Sequence, residues 1–256
     1  MSIFWQAQQD AGTPSRFTYK APPIACVGPS QGQFLMGGVS MATHIDAVQR
    51  FFDKPLLWAT IQFLNPALLG DDMVLEIETV GGGRNVVQAM VTMRRADVVL
   101  HRTLAALGQR GDEADRAFVT MPKVARPNDC PEKAPDLYAT KENLIGQFER
   151  KTAFEDAAAG IEHMWIRADF APPTDAAYLS LVSDFFLGAH ERTRRGTSLD
   201  NTFRLINTRP TEWVLAVTHM SSFTRGAAQG NMHLFAQDGT LLAASSQTGL
   251  LSRPLE

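Results

Sequence analysis

An α+β fold built from two similar halves is what the sequence predicts, and three observations predict it. Each half carries one helical stripe followed by several strand-like runs; a proline-rich, charged stretch separates the halves; and the strands follow one another directly. Strands joined by short turns pair antiparallel, whereas a doubly wound parallel sheet interposes a helix after nearly every strand.

The first half spans residues 1–110. Gly37-Gly38 precedes Met41, Ile45, Val48 and Phe52, apolar positions three or four apart, and Asp53-Lys54-Pro55 ends that helix. Residues 57–64 are apolar enough to predict a strand buried on both faces. Met73, Leu75 and Ile77 alternate with Val74, Glu76 and Glu78, which predicts one dry and one wet face. Gly81-Gly82-Gly83 reads as a turn, and residues 85–94 and 98–107 read as a hairpin closed at Arg95-Ala96-Asp97.

Residues 111–160 hold Pro122, Pro127, Pro131 and Pro135, many charges and no sustained period, and predict a linker. The second half, 161–256, repeats the plan. A strand over 164–170 leads to Pro172-Pro173-Thr174-Asp175, a stop followed by a helix N-cap. Tyr178, Leu181, Val182, Phe185 and Ala189 form the second stripe, ended by Gly196. Strands are expected at 199–206, 213–222, 226–235 and 241–250, with Asp238-Gly239 in the last hairpin turn.

Composition narrows the function classes. Hydrophobic residues are 45% and charged residues 20% of 256, enough for a sizeable core, and the net charge of -3 gives no field for nucleic acid or an anionic membrane. No uncharged apolar run approaches the roughly 20 residues that span a bilayer. The start, MSIFWQAQQDAG, lacks the pattern of a signal peptide, so a cytoplasmic location is expected, with Cys26 and Cys130 as reduced thiols. The six histidines show no ligand spacing, so no metal is expected.

Several motifs need weighing. Ser40, in Gly38-Val39-Ser40-Met41-Ala42, is close to a nucleophile elbow but lacks a convincing preceding strand; a small residue near a helix start is the plainer reading. Gly81-Gly82-Gly83-Arg84 has no following helix and no Walker lysine, so it is a turn. Arg192, Arg194 and Arg195 at the second helix's end either complement its dipole or contact phosphates. Asp200 and Gln247 stand in strands where polar groups need partners, and Ser221 and Ser222 close another strand.

In their order these residues resemble the acyl-CoA thioesterase II family. Asp175 to Ser180 through Ser183-Asp184-Phe185 is similar to its second helix, Ser198-Leu199-Asp200-Asn201 to its Ser-Leu-Asp-His motif, and Glu212-Trp213-Val214-Leu215 to its Glu-Trp-Leu-Leu strand. Arg225-Gly226, Gln237-Asp238-Gly239 and Gln247-Thr248-Gly249 follow in order, as far as Arg253. The first half is similar but looser. Asn201 replaces the family's histidine and Thr248 its glutamate.

The resemblance implies a double hotdog, each helix wrapped by an antiparallel sheet, and hydrolysis of an acyl-CoA by water without a covalent acyl-enzyme, a metal or an organic cofactor. Carried over by position, Asp200 is the general base, Gln247 and a serine at 221 or 222 hold the water, and amides near Gly37 and Gly38 meet the oxyanion. Arg192, Arg194 and Arg195 would face the phosphates of coenzyme A. A homodimer or larger homo-oligomer is expected from the family's habit of pairing sheets. The competing readings are a non-catalytic acyl-CoA-binding protein, a hotdog enoyl-CoA hydratase or dehydratase, and a serine hydrolase using Ser40.

Overall fold

The computed structural model describes residues 3–109, 111, 116–134 and 138–252; Pro135 of the expected linker and Arg253 lie outside them. Chain order runs β1 (Gln8–Gln9), β2 (Arg16–Lys20), β3 (Cys26–Val27), β4 (Phe34–Leu35), α1 (Gly37–Phe52), β5 (Leu56–Phe63), β6 (Asp72–Gly82), β7 (Val86–Arg95) and β8 (Val98–Gly108). It continues with β9 (Phe148–Asp156), β10 (Ile161–Ala168), α2 (Ala176–Ser183), a 3₁₀ turn (Asp184–Ala189), β11 (Thr197–Leu205), β12 (Val214–Thr224), β13 (Ala227–Ala236) and β14 (Leu241–Leu250).

Twelve strands form one antiparallel sheet in the order β1-β2-β6-β7-β8-β5-β11-β14-β13-β12-β10-β9. The order is the same read outward from the centre in both directions: the first strand after each helix is innermost, then the fourth, third and second. Those innermost strands join the halves, pairing Asp200 with Gln62 through Arg204 with Trp58. The Thr60 and Thr202 hydroxyls bond across that seam at 2.7 Å. Helix α1 lies against β5, β7 and β8, α2 against β11, β13 and β14, and the helices touch each other. This is the double hotdog that the resemblance implied.

Local chemistry sets the helix ends. Asp175 caps α2, accepting from the Tyr178 N–H at 2.8 Å. Asp53 closes α1 in the left-handed region, φ 50°. Helix α1 begins differently: Met36 stands at its N-cap, with no side-chain acceptor of its own. Its first N–H groups are left for another partner.

Three expectations change. Residues 148–156 are not linker but strand β9, paired with β10 from Phe148 opposite Ala168 to Asp156 opposite Ile161. The charges that hid this strand are used on aromatic faces: Arg150 lies over Phe185 and Lys151 over Trp213. Strand β5 is not buried on both faces, since Leu57 is 41% exposed. Strand β2, with Phe17 and Tyr19 buried and their neighbours exposed, was not anticipated. The remaining linker is a strap on the outer face of the second half-sheet, where Met121 and Val124 pack on a cluster including Trp165, Trp213, Leu215 and Phe235. Cys26 and Cys130 are separate buried thiols. Among the described residues no helix is long and apolar enough to cross a membrane.

Candidate active site

The residues at the junction of the two helices converge on one carboxylate, and it belongs to Asp184. This residue begins the 3₁₀ turn that continues α2 and is 8% exposed. Its Oδ2 accepts the uncapped N–H of Gly38 at 2.6 Å, and its Oδ1 accepts from Gln247 Nε2 at 2.9 Å. Gln247 Nε2 also donates to Ser198 Oγ at 2.7 Å, and the Ser198 hydroxyl hydrogen-bonds the Asp184 carboxylate. Helix α1, the α2 extension, β11 and β14 thus each supply one partner.

Burial pushes the Asp184 carboxyl up to about 6, and the bonds from Gly38, Gln247 and Ser198 pull against that rise without cancelling it. A carboxylate with this balance is charged at neutral pH and able to take a proton there, which is what a general base requires.

Close approach makes the arrangement possible. A Cβ on Gly38 would stand 2.6 Å from the Leu181 carbonyl oxygen and 2.7 Å from Asp184 Cβ; one on Gly37 would stand 2.8 Å from the Phe63 ring. Gly38 therefore serves helix-to-helix contact, and Gly37 makes room for the Phe63 ring of β5 beside the Asp184 carboxylate. The Gly38 N–H is taken by Asp184, so it is not the oxyanion donor expected from the sequence.

Asp200 does not join Gln247. A β-bulge between Ser198 and Asp200 breaks the two-residue period of β11. Ser198 and Asn201 both turn towards α2, where Asn201 Nδ2 donates to Ser183 Oγ at 3.0 Å. Asp200 is left on the other side of the alternation, its Oδ1 accepting the Thr248 N–H at 2.9 Å. Ser221 and Ser222 also lie elsewhere, at the open end of β12, two strands from β14. The hydroxyl beside Gln247 is Ser198, in the motif the sequence singled out but at another position. Of the expected trio only Gln247 is at the site.

Arg192, Arg194 and Arg195 are exposed on the turn between the 3₁₀ segment and β11. Buried Thr193 anchors that turn through bonds to the Leu187 and His190 carbonyls at 2.6 and 2.8 Å. The turn leads through Gly196 into Ser198. Ser40 Oγ is 2.6 Å from His101 Nδ1, but both are buried, at 0% and 3% exposure, and among the described residues no parallel sheet supplies a nucleophile elbow.

Comparison with known proteins agrees with this architecture. The family model described as acyl-CoA thioesterase N-terminal domain matches residues 28–108, and that described as acyl-CoA thioesterase C-terminal domain matches residues 127–251. A presumed thioesterase from Novosphingobium aromaticivorans DSM 12444 is 28% identical with a TM-score of 0.91, covering 98% of this chain and 100% of that one. A hot dog protein of unknown function from Alicyclobacillus acidocaldarius is 22% identical, TM-score 0.83, covering 98% and 97%. An acyl-CoA thioesterase II from Mycobacterium marinum is 18% identical, TM-score 0.77, covering 98% and 97%. Among curated protein sequences none matches at significant similarity. With family models matched on both halves, in the order in which the two half-sheets occur, the chain belongs to the acyl-CoA thioesterase family and is a thioester hydrolase.

Proposed function

We propose that this hydrolase cleaves acyl-CoA thioesters by direct attack of water, with Asp184 as general base. The observation that carries the proposal is the buried Asp184 carboxylate, held by Gly38, Gln247 and Ser198 and pushed up to about 6. Asp184 takes a proton from water as its oxygen attacks the thioester carbonyl carbon. The tetrahedral adduct collapses with cleavage of the C–S bond, and the proton passes to the departing sulfur, giving free acid and coenzyme A. Gln247 and Ser198 fix the carboxylate and so the direction from which water is delivered. Water replaces the covalent acyl-enzyme of the serine-hydrolase alternative, whose Ser40–His101 pair is hydrogen-bonded but sits in the core with no nucleophile elbow among the described residues. Among the described residues no histidine bonds Asp184, which weighs against the His-Asp chemistry of a hydratase. Assembly through an open sheet edge or face belongs to the same proposal.

Release of free thiol from acyl-CoA substrates of several chain lengths, followed across pH, tests the reading. The base works only when deprotonated, and its pKa is raised. Hydrolysis should therefore be half its plateau near pH 6, nearly full about one unit above it, and fall about tenfold per pH unit well below it. Raising salt in the same assay should raise KM with little effect on kcat if the Arg192, Arg194 and Arg195 turn meets the CoA phosphates. Tight acyl-CoA binding without thiol release would instead favour a binding protein.

A further inference from the structure

Beside the proposed base, two buried amides are satisfied on one side only. Asn201 and Gln247 lie directly opposite one another on β11 and β14, at 1% and 3% exposure. Each turns its NH₂ to the end of α2, at consecutive residues: Asn201 Nδ2 to Ser183 Oγ at 3.0 Å, Gln247 Nε2 to Asp184 Oδ1 at 2.9 Å. Ser183 Oγ donates onward to the Ser180 carbonyl at 2.7 Å, so the Asn201 amide is fixed from behind. The remaining oxygens, Asn201 Oδ1 and Gln247 Oε1, have no hydrogen-bond partner among the described residues.

Both oxygens are acceptors, so neither can satisfy the other. Side chains directly opposite in an antiparallel pair stand roughly 4.5–5.5 Å apart at Cβ, close enough to share one small donor. A buried acceptor left unpaired is costly, and a molecule with two hydrogens and no charge fits two neighbouring carbonyl oxygens.

We infer that one water bridges Asn201 Oδ1 and Gln247 Oε1, donating a hydrogen to each, and that Asn201 is thereby a positioning residue for the hydrolytic site. The inference rests on Asp184 as the base. The bridging water is distinct from the attacking one, which has to meet the Asp184 carboxylate. It satisfies the oxygen of Gln247 and so holds the NH₂ against Asp184. Without it, Gln247 Oε1 has to seek another donor, the amide turns from the carboxylate, and the carboxyl loses one of the bonds that keep it charged.

Asn201→Leu keeps the branched shape at a somewhat larger volume and removes the bridge together with the bond to Ser183; Asn201→His offers a ring N–H in place of the water. In the thiol-release assay Asn201→Leu should lower kcat about tenfold with KM unchanged and move the acid limb to higher pH. Asn201→His should restore most of both. Parental kcat and acid limb in Asn201→Leu would overturn the inference. If Asn201→Leu does not fold, a high-resolution crystal structure of the parent decides: solvent within hydrogen-bond distance of both oxygens supports the bridge, and its absence refutes it. Asp184→Asn assayed alongside separates the two levels. An inactive Asp184→Asn with an unaffected Asn201→Leu removes only the role of Asn201; an active Asp184→Asn removes the base itself.

Discussion

Asp184→Asn should reduce kcat by about 10²–10⁴-fold, the usual contribution of a positioned general base, with KM for acyl-CoA little changed. The amide keeps an acceptor for the Gly38 N–H, which the carboxylate now holds at 2.6 Å, so the helix contact survives while the proton acceptor is lost. Asp200→Asn is the informative partner. Its carboxylate accepts one backbone N–H, from Thr248, and an amide oxygen can accept the same bond. Near-parental turnover is expected there. Steady-state kinetics on both variants, with circular dichroism to show that each folds, decides between the carboxylates. A dead Asp200→Asn beside an active Asp184→Asn would return the base to the position the sequence suggested.

Gly38→Ala is expected to have the next largest effect. The new methyl would lie 2.6 Å from a backbone oxygen of α2 and 2.7 Å from Asp184 Cβ, and neither can swing aside as the end of a flexible side chain can. The helices have to separate by several tenths of an ångström or more. Overpacking of this kind costs about 1–3 kcal/mol of stability, and displacing the base by up to about 1 Å costs on the order of 10²-fold in rate. Thermal unfolding and kcat measured on the same preparation should both fall. A variant with parental kcat would mean that the distance between the helices does not set the geometry of catalysis.

The architecture was legible because its signals are local and repeated. Met41, Ile45 and Val48 mark α1, Asp175 marks the start of α2, and Asp238-Gly239 marks the final hairpin; all three behave in the structure as their chemistry predicts. Strand β9 was missed because Arg150 and Lys151 look solvated in sequence, whereas their stems and charges cover Phe185 and Trp213. The site was half legible. Gln247 stood out as a polar residue in an apolar strand. Asp184 did not, because a polar residue following a helical stripe resembles an ordinary helix end. Only the uncapped start of α1, at Met36-Gly37-Gly38, hinted that a carboxylate had to arrive from elsewhere. Asp200 was carried over by position from the Ser-Leu-Asp-His motif, and position along the chain does not show a bulge. The bulge at Ser198-Leu199-Asp200 shifts the alternation by one residue and turns Asn201 inward in its place.

The most direct test of Asp184 as a base follows the oxygen. A single turnover in ¹⁸O-labelled water, with enzyme in excess over acyl-CoA, distinguishes attack by water on the thioester from attack by the carboxylate. If Asp184 activates water, the label appears in the released acid and the peptide containing Asp184 stays unlabelled by mass spectrometry. If Asp184 is itself the nucleophile, an acyl-Asp184 anhydride forms: water attacking its aspartyl carbon labels the Asp184 peptide, and where water attacks its acyl carbon the anhydride is caught by hydroxylamine as a hydroxamate at Asp184; either result would contradict the mechanism proposed for this site.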